Sequence, residues 1–168
     1  MDIQINGIMN DSIVDGPGLR LAVFVQGCSH RCPGCHNPGT HDPEGGHLMD
    51  TGEIVQLLRE NPLLDGLTLS GGEPFEQPGP CLLLAEAAKG MGLTVWIYSG
   101  YTYEQLAGMA DEAALGLLRV CDVLVDGRFV QARKSLDLDF RGSSNQRLVD
   151  LKKTRAAGQV VLWERPAW

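Results

Sequence analysis

Three cysteines, Cys28, Cys32 and Cys35, lie within eight residues of one another. Thiolates bind iron–sulfur clusters, and three of them hold three corners of a cuboidal cluster whose usual complement is four cysteines. The fourth iron then keeps an open position, which distinguishes a reactive metal centre from a structural one. Pro33 and Gly34, between the last two cysteines, favour a turn that wraps the loop around a compact group. The spacing therefore predicts an iron–sulfur cluster with one iron free to bind a ligand.

A structural zinc site is the competing interpretation of the same cysteines. Its fourth ligand would be His30, His36 or His41. Zinc sites more often use a second CxxC pair elsewhere in the chain, and this sequence has none. The cysteine pattern therefore favours the cluster over zinc, with a loop that binds no metal as the remaining alternative.

Length and charge exclude several classes of protein. The 168 residues suffice for one domain over 1–168 but not for a complete (β/α)₈ barrel, which needs about 200 residues. Fourteen basic against 21 acidic residues give a net charge of -7, which repels nucleic acid over most of the surface. No apolar run is long enough to span a membrane, and the N-terminus lacks a signal-peptide pattern. We expect a cytoplasmic protein, in a reducing compartment, that binds neither membrane nor nucleic acid directly.

Apolar, β-branched runs alternate with helical patterns along the chain. Strands are predicted at 19–27, 66–72, 93–100 and 121–127, with a further candidate at 159–163. Helices are predicted after an N-cap at Asp50, at 80–91, and at 103–119 with an interruption near 108–111. This alternation is typical of βα units and predicts an α/β fold with a mainly parallel sheet.

The unusual residues follow the predicted strands. Cys28 comes after the first strand, Gly71 and Gly72 after the second, Ser99 after the third and Asp126 at the end of the fourth. Parallel α/β sheets bind ligands outside the carboxyl ends of their strands. We therefore expect these residues to meet at one rim of the sheet.

Several longer stretches carry a family resemblance. They are 15–20 (DGPGLR), 28–37 (CSHRCPGCHN), 70–75 (SGGEPF), 99–101 (SGY), 122–127 (DVLVDG) with Phe129, and 140–147 (FRGSSNQR). A CxxxCxxC motif after one strand and a GGE after the next resemble the radical S-adenosylmethionine (SAM) superfamily. Taken together, the stretches resemble the activating proteins of anaerobic (class III) ribonucleoside-triphosphate reductases, from about residue 5 to about residue 163.

The resemblance implies a fold, two cofactors and a reaction. The fold is an incomplete (β/α) barrel of the radical SAM type, and the cofactors are a [4Fe-4S] cluster and SAM. Reductive cleavage of SAM yields methionine and a 5′-deoxyadenosyl radical, which abstracts a Cα hydrogen from a glycine of the partner. The implied partners are the large subunit of the anaerobic ribonucleotide reductase and a flavodoxin-type electron donor. An incomplete barrel leaves a side open for a glycine carried by a large protein.

The resemblance also assigns residues by position. The implied cluster ligands and catalytic residues are Cys28, Cys32 and Cys35. The residues implied to contact SAM are Gly34, Cys35, His36, Gly71, Gly72, Glu73, Ser99 and Arg141. Glycine lets a backbone approach SAM closely, and Glu73 offers an acceptor for the methionyl ammonium or for its own loop. His36 stands where the family usually has an aromatic residue, most often Tyr, and we expect it to stack on adenine rather than bind iron.

Two groups of polar residues keep alternatives open. Asp126 and residues 143–146 either form turns and a helix cap, at Ser143 or Ser144, or contact SAM or the partner. Arg141 is the residue of this region that best suits an anionic group. The residues expected on a solvated cysteine loop, open to an acidic electron donor, are His30, Arg31, His41 and His47.

The motifs leave other functions open. An activating enzyme of another glycyl radical enzyme fits them. So does a small-molecule radical SAM enzyme, such as the ring-contraction type that forms deazaguanine. A metal-binding interaction module without catalysis is the non-enzymatic alternative, which SAM cleavage would exclude.

Overall fold

The computed structural model describes residues 1–166, which carry a single mixed sheet with helices. The strands are β1 (Asp2–Ser12), β2 (Arg20–Val25), β3 (His47–Asp50), β4 (Gly66–Gly71), β5 (Thr94–Tyr98), β6 (Val123–Asp126) and β7 (Arg147–Asp150). The helices are α1 (Thr51–Glu60), α2 (Pro78–Gly90), α3 (Tyr103–Ala107), α4 (Glu112–Val120) and α5 (Leu151–Ala157). Among these residues, no helix is both long and apolar enough to cross a membrane.

The sheet has a parallel centre and antiparallel edges. Its strand order is β3-β1-β2-β4-β5-β6-β7. Strands β2, β4, β5 and β6 run parallel, whereas β1, β3 and β7 pair antiparallel with their neighbours. The predicted α/β class with a mainly parallel sheet is thereby confirmed. The prediction of one domain over 1–168 stays a prediction.

Alternation along the strands gives the sheet two different faces. In β4, Leu67 and Leu69 are buried in the main core, together with helical residues such as Leu84 and Leu117. Ser70, on the opposite face of the strand, lines a cavity. Successive side chains of a strand point to opposite faces, so the helices cover one face and the cavity opens on the other.

Three unexpected strands, one expected strand and one helix start differ from the sequence prediction. Strands β1, β3 and β7 were not expected, although β1 buries Ile3 and Ile5 with the two-residue period of a strand. The candidate strand at 159–163 forms only an isolated bridge, from Leu162 to Val149. The helix cap expected at Ser143 or Ser144 is also wrong, because the segment that follows is the antiparallel strand β7. These antiparallel strands form through pairing with a neighbour, which local propensity does not encode.

The predicted interruption of the third helical segment is confirmed. Helix α3 ends at Ala107 and α4 begins at Glu112. Thr102 caps α3 in a reciprocal capping box with Gln105, and Asp111 caps α4 by accepting from the amide of Ala114. Each side-chain cap satisfies backbone donors that a helix start leaves free.

A buried arginine, Arg20, connects the amino ends of three central strands, at the edge of the sheet away from the cysteines. All five N–H donors of Arg20 find neutral acceptors: Nε binds Thr68 Oγ1, Nη1 binds the Pro17 carbonyl and Thr94 Oγ1, and Nη2 binds the carbonyls of Leu67 and Thr94. Burial lowers the pKa of Arg20 to about 10, so the guanidinium stays charged at neutral pH. Arg20 therefore links β2, β4, β5 and the 13–19 loop at the edge from which the parallel strands start.

Candidate cofactor site

The cysteine loop, residues 28–37, leaves the sheet at the carboxyl end of β2. The amide of Cys28 donates to the His41 carbonyl at 3.2 Å, and that of Cys35 to the Cys32 carbonyl at 3.1 Å. The amide of Asn37 donates to Cys35 Sγ at 3.4 Å. All three thiols are free and half-buried. Burial raises the pKa of the Cys28 thiol, so a bound cation is needed to hold it as a thiolate at neutral pH.

The carboxyl ends of the four parallel strands meet around one cavity. Its volume is about 680 Å³, and its wall includes Cys28 after β2, Gly71 at the end of β4, Ser99 after β5 and Gly127 after β6. Cys32 and Cys35 complete the thiol side of the wall. The structure thus brings Cys28, Gly71, Gly72 and Ser99 together at one rim, whereas Asp126 does not line the cavity and its neighbour Gly127 does.

Gly71 and Gly72 press against the backbone of the neighbouring strand. Gly71 has a φ of +93°, and a Cβ there would lie 2.6 Å from the amide nitrogen of Val25. A Cβ on Gly72 would lie 2.3 Å from the carbonyl oxygen of Gly27. Both glycines line the cavity, but contact between β2 and β4 already requires them, before any ligand is considered.

Glu73 is fully buried and surrounded by protein donors. Its Oε1 lies 2.6 Å from His30 Nε2 and accepts from Ser99 Oγ and the amide of Gly100, both at 2.8 Å. Its Oε2 accepts from the amide of Phe75 at 3.1 Å. Of the two roles expected for Glu73, the contact with its own loop is present. The hydroxyl of Ser99 is likewise engaged by Glu73.

His30 does not lie on a solvated loop as expected. Its side chain is 4% exposed. His41 is half-buried and lines the cavity, and its Nε2 has no partner among the described residues. Arg31 is exposed, whereas His47, also exposed, belongs to β3 and not to the cysteine loop. The pairing of His30 with a buried carboxylate draws it inward, which spacing alone does not reveal.

Arg141 lines the cavity without a carboxylate partner among the described residues. Its Nη1 contacts the Gln146 carbonyl at 3.4 Å, and its buried Nε has no acceptor. His36 also lines the cavity, with its ring edge-on to Phe129 at 5.1 Å. Gly34 has a φ of +73° and lies against Gln131 in the turn, outside the cavity wall of the described residues.

The remaining polar residues stabilise the loops. Asp126 pairs with Arg147 and accepts from the amide of Tyr103 at 2.8 Å. Gln146 Oε1 accepts from the amide of Gly142 at 2.9 Å, and its Nε2 donates to the Gly127 carbonyl at 3.0 Å. The side chains of Ser143, Ser144 and Asn145 also form hydrogen bonds, each with a residue of the 128–133 segment.

Sequence reasoning missed several cavity residues. Asp15 and Tyr98 line the wall, as do Leu136 and Leu138. Burial raises the pKa of Tyr98 far above its usual range. Tyr98 lies two residues beyond the buried Trp96, so strand alternation was the signal that could have found it. Asp15 belonged to a recognised stretch without an assigned role, and nothing local marks Leu136.

The donor set fits a cluster. Three free thiols line one cavity, which is also lined by Arg141 and His41, each with a buried nitrogen that has no partner within residues 1–166. Within residues 1–166, no three Cys, His, Asp or Glu side chains converge on a single ion. A cluster does not need such convergence, because each thiolate binds a different iron. An α/β protein with these features is of the iron–sulfur cluster-binding class.

Comparison with known proteins agrees with that class. The family model described as a 4Fe-4S single cluster domain matches residues 14–149. The anaerobic ribonucleoside-triphosphate reductase-activating protein of Vibrio cholerae is 37% identical over 142 residues, covering 80% of this chain and 89% of its own. The protein of that name from Escherichia coli K12 is 38% identical over 144 residues, covering 80% and 90%. The chain therefore belongs to the family of anaerobic ribonucleoside-triphosphate reductase-activating proteins.

A solved structure also resembles the fold. QueE from Escherichia coli aligns with a TM-score of 0.49 at 15% identity, covering 60% of this chain and 53% of that one.

Proposed function

We propose that the protein is a radical SAM activase, an oxidoreductase that generates a glycyl radical on anaerobic ribonucleoside-triphosphate reductase. The observation that carries this proposal is the single cavity in which three free thiols face the ends of β4, β5 and β6. Family membership supports the same activity, because the relatives at 37% and 38% identity are named for it.

The chain's own residues hold the two cofactors. Cys28, Cys32 and Cys35 would hold a [4Fe-4S] cluster, and three protein ligands would leave one iron open to SAM. When bound, the cluster supplies the electron that cleaves SAM reductively, and the radical chemistry that follows takes a hydrogen atom from a glycine of the reductase. The backbone at Gly71 and Gly72 forms part of the wall of the cavity that the thiols also line.

Arg141 suits the carboxylate of SAM. It lines the cavity, no described carboxylate pairs with it, and its Nε lacks an acceptor. A buried donor without an acceptor loses free energy, which an anionic group in the cavity recovers. His36, held edge-on by Phe129, offers a ring for adenine, and Ser99 lines the same pocket. Gly34, which lies outside the cavity wall of the described residues, shapes the turn of the cysteine loop instead.

The sheet suits an incomplete barrel of the radical SAM type. It ends in two edge strands, β3 and β7, and its cavity lies on the face opposite the helices. Exposed apolar side chains flank the opening: Val14 is 71% and Leu136 90% exposed, and both line the cavity. Such a rim fits a glycine loop of a large protein better than a free small molecule.

The partners of the proposed reaction are two proteins. The first is the large subunit of the anaerobic reductase, which carries the glycine. The second is a flavodoxin-type electron donor, for which the exposed Arg31 in the cysteine loop offers a positive charge. We also propose a cytoplasmic location, because thiol ligands of a cluster require a reducing compartment, and neither membrane nor nucleic acid is a partner.

Mixing the reconstituted protein with the reductase tests the function. With SAM and a reductant, electron paramagnetic resonance should show a glycyl radical on the reductase. Cys32→Ala should abolish the signal, whereas Cys81→Ala, which changes a core cysteine outside the site, should retain it. Cleavage of SAM without a glycyl radical would instead indicate another radical SAM enzyme, and no cleavage would indicate a binding module.

A further inference from the structure

A buried pair of side chains connects the cysteine loop to the carboxyl ends of β4 and β5. His30 Nε2 lies 2.6 Å from Glu73 Oε1, and the two side chains are 4% and 0% exposed. His30 lies midway between Cys28 and Cys32 in the sequence. A displacement of His30 therefore moves both thiols.

Four protein groups surround the carboxylate of Glu73. A carboxylate offers about four lone-pair sites. His30, Ser99 and Gly100 occupy Oε1, and the Phe75 amide occupies Oε2. Glu73 is also not among the described residues that form the cavity wall. The carboxylate is thus fully buried among protein donors and does not face the cavity of the described residues.

The ring of His30 fits a pocket shaped for it. Tyr101 packs edge-on against the ring at a centroid distance of 4.5 Å. A Cβ on Gly100 would lie 2.5 Å from His30 Cδ2, so only glycine leaves room for the ring. Gly100 leaves room for the ring, and its amide binds the same carboxylate of Glu73 that the ring contacts. These contacts together fix one position for His30.

We propose that the His30–Glu73 pair holds the cysteine loop in the position from which its three thiols reach one cluster. Glu73 is accordingly a positioning residue that acts through His30, and not a ligand of SAM. The proposal rests on the proposed function, because loop position matters for the chemistry only if the thiols bind a cluster. Positioning groups behind metal ligands typically change metal affinity by about 10- to 100-fold.

Release of iron from the reconstituted protein to a chelator measures this role. His30→Leu and Glu73→Gln should each accelerate release about tenfold or more. His30→Gln, whose amide can still donate to Glu73, should restore slow release, and Gly100→Ala should reproduce the defect of His30→Leu. His47→Leu, at an exposed histidine of β3, is the control and should match the wild type.

The double variant tests whether the two residues act as one unit. If they do, His30→Leu combined with Glu73→Gln should release iron no faster than the worse single variant. Release at the wild-type rate from His30→Leu would overturn the proposal. Weakened SAM binding in Glu73→Gln with unchanged iron release would also overturn it, since that result marks Glu73 as a ligand.

A measurement on the apo protein separates this proposal from the proposed function. Hydrogen exchange at the amides of residues 28–37 should be faster in His30→Leu than in the wild type, and normal in His30→Gln. Unchanged exchange in His30→Leu would overturn the positioning role whether or not a cluster binds. Failure of the wild type to take up iron and sulfide would overturn the proposed function, while faster exchange would still support the positioning of the loop.

Discussion

Asp126 is a carboxylate at the end of β6 that is 1% exposed. Arg147 donates to it twice, from Nε at 3.0 Å and from Nη2 at 2.5 Å, and also reaches Glu104 at 2.8 Å. The guanidinium therefore connects β6, β7 and the first turn of α3. The hydrogen bonds to the two carboxylates raise the pKa of Arg147 further above its usual range.

Removal of Arg147 should lower the free energy of unfolding far more than removal of its exposed partner, Glu104. Arg147→Met leaves Asp126 buried without a cation and should lower the free energy of unfolding by about 3 kcal/mol. Glu104→Gln removes only the exposed half of the network and should cost about 0.5 kcal/mol. Urea denaturation of the apo protein measures both. If both variants lost the same free energy of unfolding, the buried Arg147–Asp126 pair would contribute no more than the exposed Arg147–Glu104 pair.

The pH dependence of stability should reveal the same network. The hydrogen bond from Arg147 lowers the pKa of Glu104 from its ordinary value of 4.5. The stability from this carboxylate is present above that ordinary value and is lost as the pH falls through the lower folded pKa. Between about pH 5 and pH 3, the wild type should lose about 0.5 kcal/mol more than Glu104→Gln. Identical pH profiles in urea unfolding would contradict this expectation.

At the scale of elements, the turn after β4 is pinned to the end of β2. The amide of Gly72 donates to the Val25 carbonyl and that of Glu73 to the Gly27 carbonyl, both at 2.8 Å. The cysteine loop starts directly after Gly27. Any displacement of the turn is therefore transmitted to the first thiol.

Gly72→Ala tests this contact between elements. The new Cβ would lie 2.3 Å from the Gly27 carbonyl oxygen, so the variant should lose about 3 kcal/mol of stability and bind the cluster less firmly. Gly90→Ala in α2 is the control, because a Cβ there meets nothing within 4 Å and should gain about 0.5 kcal/mol. Chemical denaturation and iron content check both variants. A wild-type result for Gly72→Ala would mean that the turn moves freely.

At the scale of the whole molecule, segments far apart in the chain close around one cavity. The thiols come from residues 28–35, and the facing polar and apolar side chains from 136–146. Phe129 against His36 and Gln131 against Gly34 hold the stretch just before 136–146 against the cysteine loop. A ligand that contacts both segments must stabilise the native arrangement of the whole chain.

SAM should therefore raise the thermal stability of the cluster-loaded protein. A ligand at 100 times its Kd adds about 2.7 kcal/mol to the free energy of unfolding. Arg141→Met should reduce the SAM-dependent rise in Tm without changing the Tm measured in its absence. Arg128→Met, an exposed arginine outside the cavity wall of the described residues, should keep the full rise. An undiminished rise in Arg141→Met would remove Arg141 from the SAM site.

Local pattern determined much of the fold and the centre of the site. The strands β2, β4, β5 and β6 and the break between α3 and α4 follow from apolar runs and caps, which act within a few residues. The gathering of the Cys28 loop, Gly71 and Ser99 at one rim follows from the parallel arrangement of those strands. The -7 charge and the absence of a long apolar run set the expectation of partners other than membranes and nucleic acids.

Only the tertiary structure decided which side chains meet. The antiparallel strands β1, β3 and β7 exist because a neighbouring strand satisfies their backbone hydrogen bonds, which no local pattern specifies. The buried side chain of His30 forms a hydrogen bond with Glu73, 43 residues away, and Arg147 donates to Asp126, 21 residues away. The free energy of long-range pairing and of desolvation depends on which groups lie close together in space. Local sequence patterns do not specify those distances.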